Sequence, residues 1–347
     1  MNGPWRQETA PARTDTRWHV EVPGVLAWGV WAEKVPEHGE DAEPLLEHHV
    51  ASGRGVVGVF DGAGGAGSSV ARTDSSGRRA SSAWVASRVA ALVTGEWFRT
   101  TVSQPALDEE DEVGQLEREL GDALSLMRPG ERSRLNGRMV RPMPTTMAAV
   151  TYCLRGDRVE ARALWAGDSR VYALDPGHGL MALTRDHTDE QDALEQIRQD
   201  PPMTNMLTAS GRFRVQTSRT ALSAPVVLVC ATDGFFGHVV TPHLFELHLL
   251  RALEAAADAE SLGALLEERV RGYTADDATL AAVALGFDSF EDVRTAYLGR
   301  LHTLVDEYGP VPPVQDAEDH RRWQEESWRR YRTAYETLMP PQKEETP

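Results

Sequence analysis

Apolar residues fall along this chain in two rhythms. Short, almost unbroken runs, GVLAWGVWA at 24–32, VVGVF at 56–60 and PVVLVCAT at 225–232, stop abruptly at small or acidic residues. Runs of this length predict strands buried on both faces, because each face of the pleat then needs apolar side chains. Further strands are predicted at 147–154, 159–167, 170–174, 181–185 and 278–286, with glycines and aspartates between them that suit hairpin turns, Gly156-Asp157 being one. The second rhythm is helical. Trp84, Val85, Val89, Leu92, Val93 and Trp97 predict an amphipathic helix over 81–98. The acidic stretch LDEEDEVGQ, 107–115, reads as solvated surface leading into a second helix near 113–127, and two more helices are predicted at 241–257 and 261–270. Beyond Phe287, Tyr297, Leu301, Leu304 and Tyr308 line a helix, VPPV breaks it, and Trp323, Trp328, Tyr331, Tyr335 and Leu338 mark another.

The grouping of these elements matters more than their number. Helices arrive in pairs between runs of strands, not in strict alternation with them. That order predicts an α+β fold in which antiparallel sheets carry helices on their outer faces. Residues 1–20 read as a flexible lead, 21–287 as one domain and 288–347 as a helical C-terminal extension. The aromatic stripe of the extension needs a protein surface, either its own domain or a second chain.

Composition narrows the function classes. The 347 residues, 41% hydrophobic and 26% charged, are those of a folded domain with a sizeable core. A formal charge of -17 leaves no basic footprint for nucleic acid. The same field repels an anionic substrate unless cations shield the site. Cys153 and Cys230, far apart and in apolar runs, read as buried small hydrophobes. MNGPWRQETAPARTD at the N-terminus has no apolar signal region, and no stretch is long enough to span a bilayer; the expectation is a cytoplasmic protein with no membrane partner.

The candidate chemistry sits at strand ends. VVGVF closes on Asp61-Gly62, LVCAT closes on Asp233-Gly234, Asp276-Asp277 precede the strand at 278–286, and Glu40-Asp41 lie in the loop before VVGVF. Asp-Gly is a common turn signal, so each junction alone reads equally well as a turn. Together, carboxylates at one sheet rim repel one another unless a cation neutralises them. An all-oxygen donor set suits Mg²⁺ or Mn²⁺, and the thiolate and imidazole ligands that zinc favours are missing. His48 and His49 are adjacent, without the spacing of a ligand pair.

In this order, Glu40-Asp41, DGAGG at 61–65, GDSR at 167–170, LTRDHT at 183–188, TDG at 232–234 and DDAT at 276–279 resemble the ordered motifs of the metal-dependent PPM/PP2C-type serine/threonine protein phosphatases, in the bacterial style. The resemblance covers about residues 24–287. It implies a four-layer α-β-β-α sandwich with two central antiparallel sheets, and hydrolysis of phosphoserine and phosphothreonine in a phosphorylated protein substrate by a water activated between two Mn²⁺ or Mg²⁺ ions. It further implies that Asp61 bridges the ions, that the Gly62 carbonyl and Glu40 serve the second, and that Asp233 and Asp276 complete the first. Asp168 and Asp277 are then supporting residues, and 187–222 is a mobile flap whose arginines in GRFRVQTSR either offset the acidic surface or are merely solvated. The chain departs from the pattern at four places. Pro36 stands where relatives carry a phosphate-binding Arg, with Lys34 as the nearby substitute; Ala63 replaces a His of eukaryotic relatives; Pro144-Thr145-Thr146 replaces Gly-Thr-Thr; and Arg141 and Met143 lie where a third-ion acid would be. The full carboxylate set favours an active phosphatase. The missing Arg at Pro36 and the altered Pro144-Thr145-Thr146 context favour the alternative, a weakly active or inactive domain that binds or regulates a partner through its C-terminal helices. The loss of the His at Ala63 is shared with other bacterial members and is not disabling.

Overall fold

The computed structural model describes residues 12–14, 16–36, 38–64, 70–73, 79–103, 109–128, 142–199, 201–312 and 317–341. The expectations placed on residues 1–11, Gly65 and Arg141 lie outside the described residues. Two antiparallel sheets lie face to face. The first has seven strands in the order β1 (Ala12–Thr14), β2 (Arg17–Val22), β3 (Val25–Ala32), β14 (Ala278–Leu285), β13 (Val226–Ala231), β10 (Arg170–Asp175) and β11 (Gly179–Ala182). The second has five: β12 (Gln216–Ser223), β9 (Arg158–Ala166), β8 (Met147–Arg155), β5 (Arg54–Val59) and β4 (Leu45–His49). A separate two-stranded ribbon, β6 (Val70–Thr73) and β7 (Arg79–Ser81), leads into helix α1 (Ser82–Ser103).

The unbroken apolar runs are explained by this layering. In β14, Leu280, Ala282 and Ala284 face a helical layer while Ala281, Val283 and Leu285 face the other sheet. In β13, Val227 and Val229 alternate in the same way with Val226, Leu228 and Cys230. Against the outer face of the five-stranded sheet pack α1 and α2 (Glu109–Leu126), through Val85, Trp97, Phe98, Leu116 and Leu120. Against the other sheet pack α5 (Pro242–Ala255), α6 (Ala259–Arg271), α7 (Phe290–Tyr308) and α8 (Ala317–Tyr335). Two short helices, α3 (Ala193–Gln199) and α4 (Asp233–Phe236), complete the set. The architecture is the expected α-β-β-α sandwich.

One expectation is corrected and two others take definite form. Residues 12–14 and 17–20 are not a loose lead; β1 and β2 pair with each other, and β2 pairs with β3 along its whole length, covering it with the buried Trp18. The stretch 187–222, expected as a flap, contains regular structure. Residues 216–223 form edge strand β12, paired with β9 residue for residue, and 193–199 are helical. Its polar alternation, QTSRTALS, marks an edge with one solvated face. Arg214 in that stretch bonds Glu117 on α2. Of the two surfaces expected for the C-terminal aromatic stripe, its own domain is the one it packs on. Trp328, Tyr331 and Tyr335 are buried in the same core as Trp28 and Val229, and Trp323 packs against it. Their polar tips are also engaged: Tyr331 donates to Glu246 (2.6 Å), Trp328 Nε1 to Asp192 (3.0 Å) and Arg170 Nη1 to Tyr335 Oη (3.1 Å). Among the described residues no helix is long and apolar enough to cross a membrane.

Candidate metal centre

Register places the acidic junctions at one end of the sandwich. The end of β5 meets the start of β8 (Val59 opposite Ala148), which meets the end of β9 (Met147 opposite Ala166). In the other sheet the end of β13 lies beside the starts of β10 and β14, and the start of β14 beside the end of β3. Asp61, Asp168, Asp233, Asp276-Asp277 and the loop carrying Lys34, Glu40 and Asp41 therefore share a rim.

Asp61 is held by its backbone. Its carbonyl accepts from Thr145 Oγ1 (2.6 Å) and Thr146 N (2.9 Å), so the Pro-Thr-Thr segment cradles this turn. Thr146 Oγ1 in turn bonds Ser169 Oγ (2.6 Å), next to Asp168. The Asp61 carboxyl is pushed well above the usual carboxylate range, first by burial and then by the charges of Asp41, Asp233 and Asp168. It hydrogen-bonds the Asp41 carboxyl, which burial chiefly raises to about 6. Thr279 Oγ1 (2.8 Å) and Thr232 Oγ1 (3.1 Å) both donate to Asp41 Oδ2. Two carboxyls in hydrogen-bond contact share a proton, since two adjacent charges cannot both persist in a buried place.

The loop bearing Glu40 is fixed from three sides. Asp277 accepts from Lys34 N and Glu40 N, each at 2.7 Å. Ser87 Oγ donates to the Glu40 carbonyl (2.5 Å), and Arg88 donates to the carbonyls of Glu40 (3.2 Å) and Gly39 (3.3 Å) while its guanidinium lies 4.1 Å over the Trp84 ring. Ser81 Oγ donates to the Glu40 carboxylate. Burial, followed by Asp277 and Asp276, raises the Glu40 carboxyl. The glycines after Asp61 answer to this loop. A Cβ on Gly62 would stand 2.5 Å from the Glu40 carbonyl oxygen, and one on Gly64 would stand 1.8 Å from Glu40 Oε2. Asp276 lies beside Asp277 and accepts the Asp277 N–H (2.9 Å).

A cleft of about 170 Å³ opens at the rim between Asp168, Asp233, Asp276, Phe236 and His238 on one side and Thr188, Gln196, Ile197 and Pro201 on the other. Lys34 is exposed and enters through its backbone N–H; Pro36 is exposed in the same turn. His48 bonds Tyr152 and His49 bonds Ser52, both away from the acidic group in role. Asp41, not Glu40, is the loop carboxyl that meets Asp61. Thr232 and Thr279, one in each strand-end motif, were the available sequence signal for it. Nothing in the sequence pointed to Arg88.

The donors are hard oxygens with mutual repulsion, a set that a hard divalent cation neutralises. In chemistry they fit such an ion. In arrangement, the described residues contain no group of three or more His, Cys, Asp or Glu side chains already set to hold one; Asp61 is turned onto Asp41 instead.

The fold is a two-sheet α-β-β-α sandwich with a carboxylate rim. The model of the protein phosphatase 2C family matches residues 39–270, and the chain belongs to that family. Among solved structures, it is similar to a C. elegans sex determining protein (15% identity, 80% of this chain and 68% of that one, TM-score 0.57). It is also similar to serine/threonine phosphatase Stp1 from Staphylococcus aureus (16% identity, 75% and 94%, TM-score 0.50) and to a bacterial serine phosphatase (15% identity, 76% and 98%, TM-score 0.50). At these identities the likeness is one of fold. No curated protein matches the chain by sequence comparison.

Proposed function

We propose that this chain hydrolyses phosphoserine and phosphothreonine esters of proteins with the help of two Mn²⁺ or Mg²⁺ ions. The observation that carries the reading is the convergence of Asp61, Asp168, Asp233 and Asp276-Asp277 on one rim of the two sheets, where a cation would relieve their mutual repulsion. Asp61, the Gly62 carbonyl, Asp233, Asp276 and Glu40 are the residues that would hold the ions. When bound, such ions lower the pKa of water and neutralise charge on a phosphoryl group. The chain's own part is positioning. Thr145 and Thr146 fix the Asp61 backbone, Thr232 and Thr279 fix Asp41, and Asp277, Ser87 and Arg88 fix the loop of Glu40. Lys34, exposed on that loop, is the cation proposed to approach the phosphate.

A second reading, a weakly active member that acts by binding a partner, is favoured by one observation: the carboxylates are not gathered in threes among the described residues. Calorimetric titration with Mn²⁺ separates the two. The expected result is saturable binding by the wild type and its loss in Asp61→Asn, with turnover of a phosphothreonine peptide abolished by chelation. Wild-type protein that binds no Mn²⁺, or an Asp61→Asn variant with unchanged stoichiometry and affinity, overturns the two-ion reading.

A further inference from the structure

The turn after Asp61 presents Gly62, Ala63 and Gly64, none of which has an ionisable side chain. Hydrolysis of an alkyl phosphate ester leaves an alkoxide that is a poor leaving group until it is protonated, so an acid placed over the cleft accelerates the step. Most protic groups on the cleft walls are already committed. The Arg170 guanidinium is tied to Asp186 through Nε and Nη2 (2.9 and 2.7 Å), to Gln196 (2.8 Å) and to Tyr335. The Thr188 hydroxyl donates to the Glu190 carbonyl (2.7 Å), and the Gln196 amide donates to Glu190 and Thr188.

His238 differs from these. It lines the cleft with Asp233 and Asp276 and its side chain is exposed. Its backbone is nevertheless firmly placed. Gly237 N donates to the Asp233 carbonyl at 2.5 Å, closing the single turn of α4, and a Cβ on Gly237 would stand 2.9 Å from that oxygen. The tight turn therefore keeps residue 238 beside residue 233. On either side Phe236 and Val239 are buried, and Tyr273 Oη holds the Phe235 carbonyl (2.8 Å). An imidazole is the side chain that gives up a proton most readily near neutral pH.

We propose that His238 is the general acid for the leaving group in this phosphoester hydrolysis. A water oxygen joins phosphorus and releases a proton to solvent. The bond from phosphorus to the serine or threonine oxygen breaks with its electron pair on that oxygen. The imidazolium of His238 donates its N–H proton to the same oxygen, and the neutral imidazole is reprotonated from solvent. The proposal rests on the hydrolase reading above.

The test is the leaving-group dependence of His238→Gln and His238→Ala, measured with Mn²⁺ saturating on a phosphothreonine peptide and on p-nitrophenyl phosphate, whose aryl oxide departs without needing a proton. On the peptide, kcat is expected to fall about a hundredfold, the low end of general acid contributions, and the loss on the aryl ester to be at least tenfold smaller. His238 is exposed, so an unchanged melting temperature is expected to accompany the effect. Equal losses on both substrates, or no loss on the peptide, overturn the role of His238 while leaving the hydrolase reading intact. A wild type that turns over neither substrate overturns both.

Discussion

At the scale of single residues, the site is a conflict held in place by hydroxyls. Asp41 is buried, raised to about 6, and pressed against Asp61, yet two threonines donate to one of its oxygens and keep it there. An amide fits the same place without the charge. In Asp41→Asn, Oδ1 would still accept from Thr232 and Thr279, and Nδ2 would donate to Asp61. The expected outcome is a gain of about 0.5–2 kcal/mol in the metal-free stability, read by urea denaturation, with a weaker Mn²⁺ affinity in titration. Unchanged stability would mean that Asp41 and Asp61 do not compete for charge. Ala63 illustrates the other side of residue-level reading. Its type was plain in the sequence, whereas the place of His238 in the cleft beside Asp233 and Asp276 emerged only from the fold.

At the scale of elements, α7 and α8 separate what is local from what is not. Sequence periodicity identified both helices and their aromatic stripe, since a 3.6-residue repeat is a local property. Where the stripe goes is not local. Tyr297 donates to the Leu174 carbonyl (2.6 Å) on β10, and Arg170, from the GDSR segment, reaches Tyr335 on α8. Glu246 on α5 is fully buried between Arg300 of α7 (2.6 Å) and Tyr331 of α8 (2.6 Å). Truncation after Gly309 would strip Tyr335 from Arg170 and Tyr331 from Glu246 and bare the apolar face beneath. Burying one aromatic side chain contributes roughly 1.5–3 kcal/mol, so losing three exceeds a large part of a domain's net stability. The expected result is insoluble or largely unfolded protein by circular dichroism. A truncated chain that melts within a few degrees of the full one would make α8 dispensable. Edge strand β12 teaches the converse lesson: QTSRTALS lacks an apolar run, so its strand character became visible only through its pairing with β9.

At the scale of the whole molecule, two sets of buried groups push stability in opposite directions as pH falls. His243 is buried, its imidazole lowered to about 4 by burial, with Nδ1 on Thr241 Oγ1 (2.7 Å) and its ring stacked 4.4 Å from Tyr308. Its folded value lies below the unfolded 6.5, so the unfolded chain takes up the proton first. Stability from neutral His243 is full above about pH 6.5 and is lost as pH falls toward 4, by as much as about 3 kcal/mol. Asp41 has the opposite sign. Its folded value exceeds the unfolded one, so stability recovers between about pH 6 and the ordinary carboxylate range. Chemical denaturation from pH 7 to 4 should therefore show a flatter profile in His243→Gln than in the wild type, and a steeper acid loss in Asp41→Asn. Parallel profiles in all three proteins would refute the assignment of either group.

What the sequence determined by itself was set by short-range rules and by order along the chain. Strands covered on both faces must be apolar throughout, helices must repeat at 3.6 residues, and six motifs in fixed order marked the family and the rim. Tertiary structure alone decided which carboxyl meets Asp61, that Arg88 holds the Glu40 loop, that residues 12–14 and 17–22 belong to the seven-stranded sheet and that the C-terminal aromatics are core. Each of these depends on contacts between residues far apart in the chain, as with Asp41 and Thr279 or Arg170 and Tyr335, and no local pattern encodes the partner at such a distance.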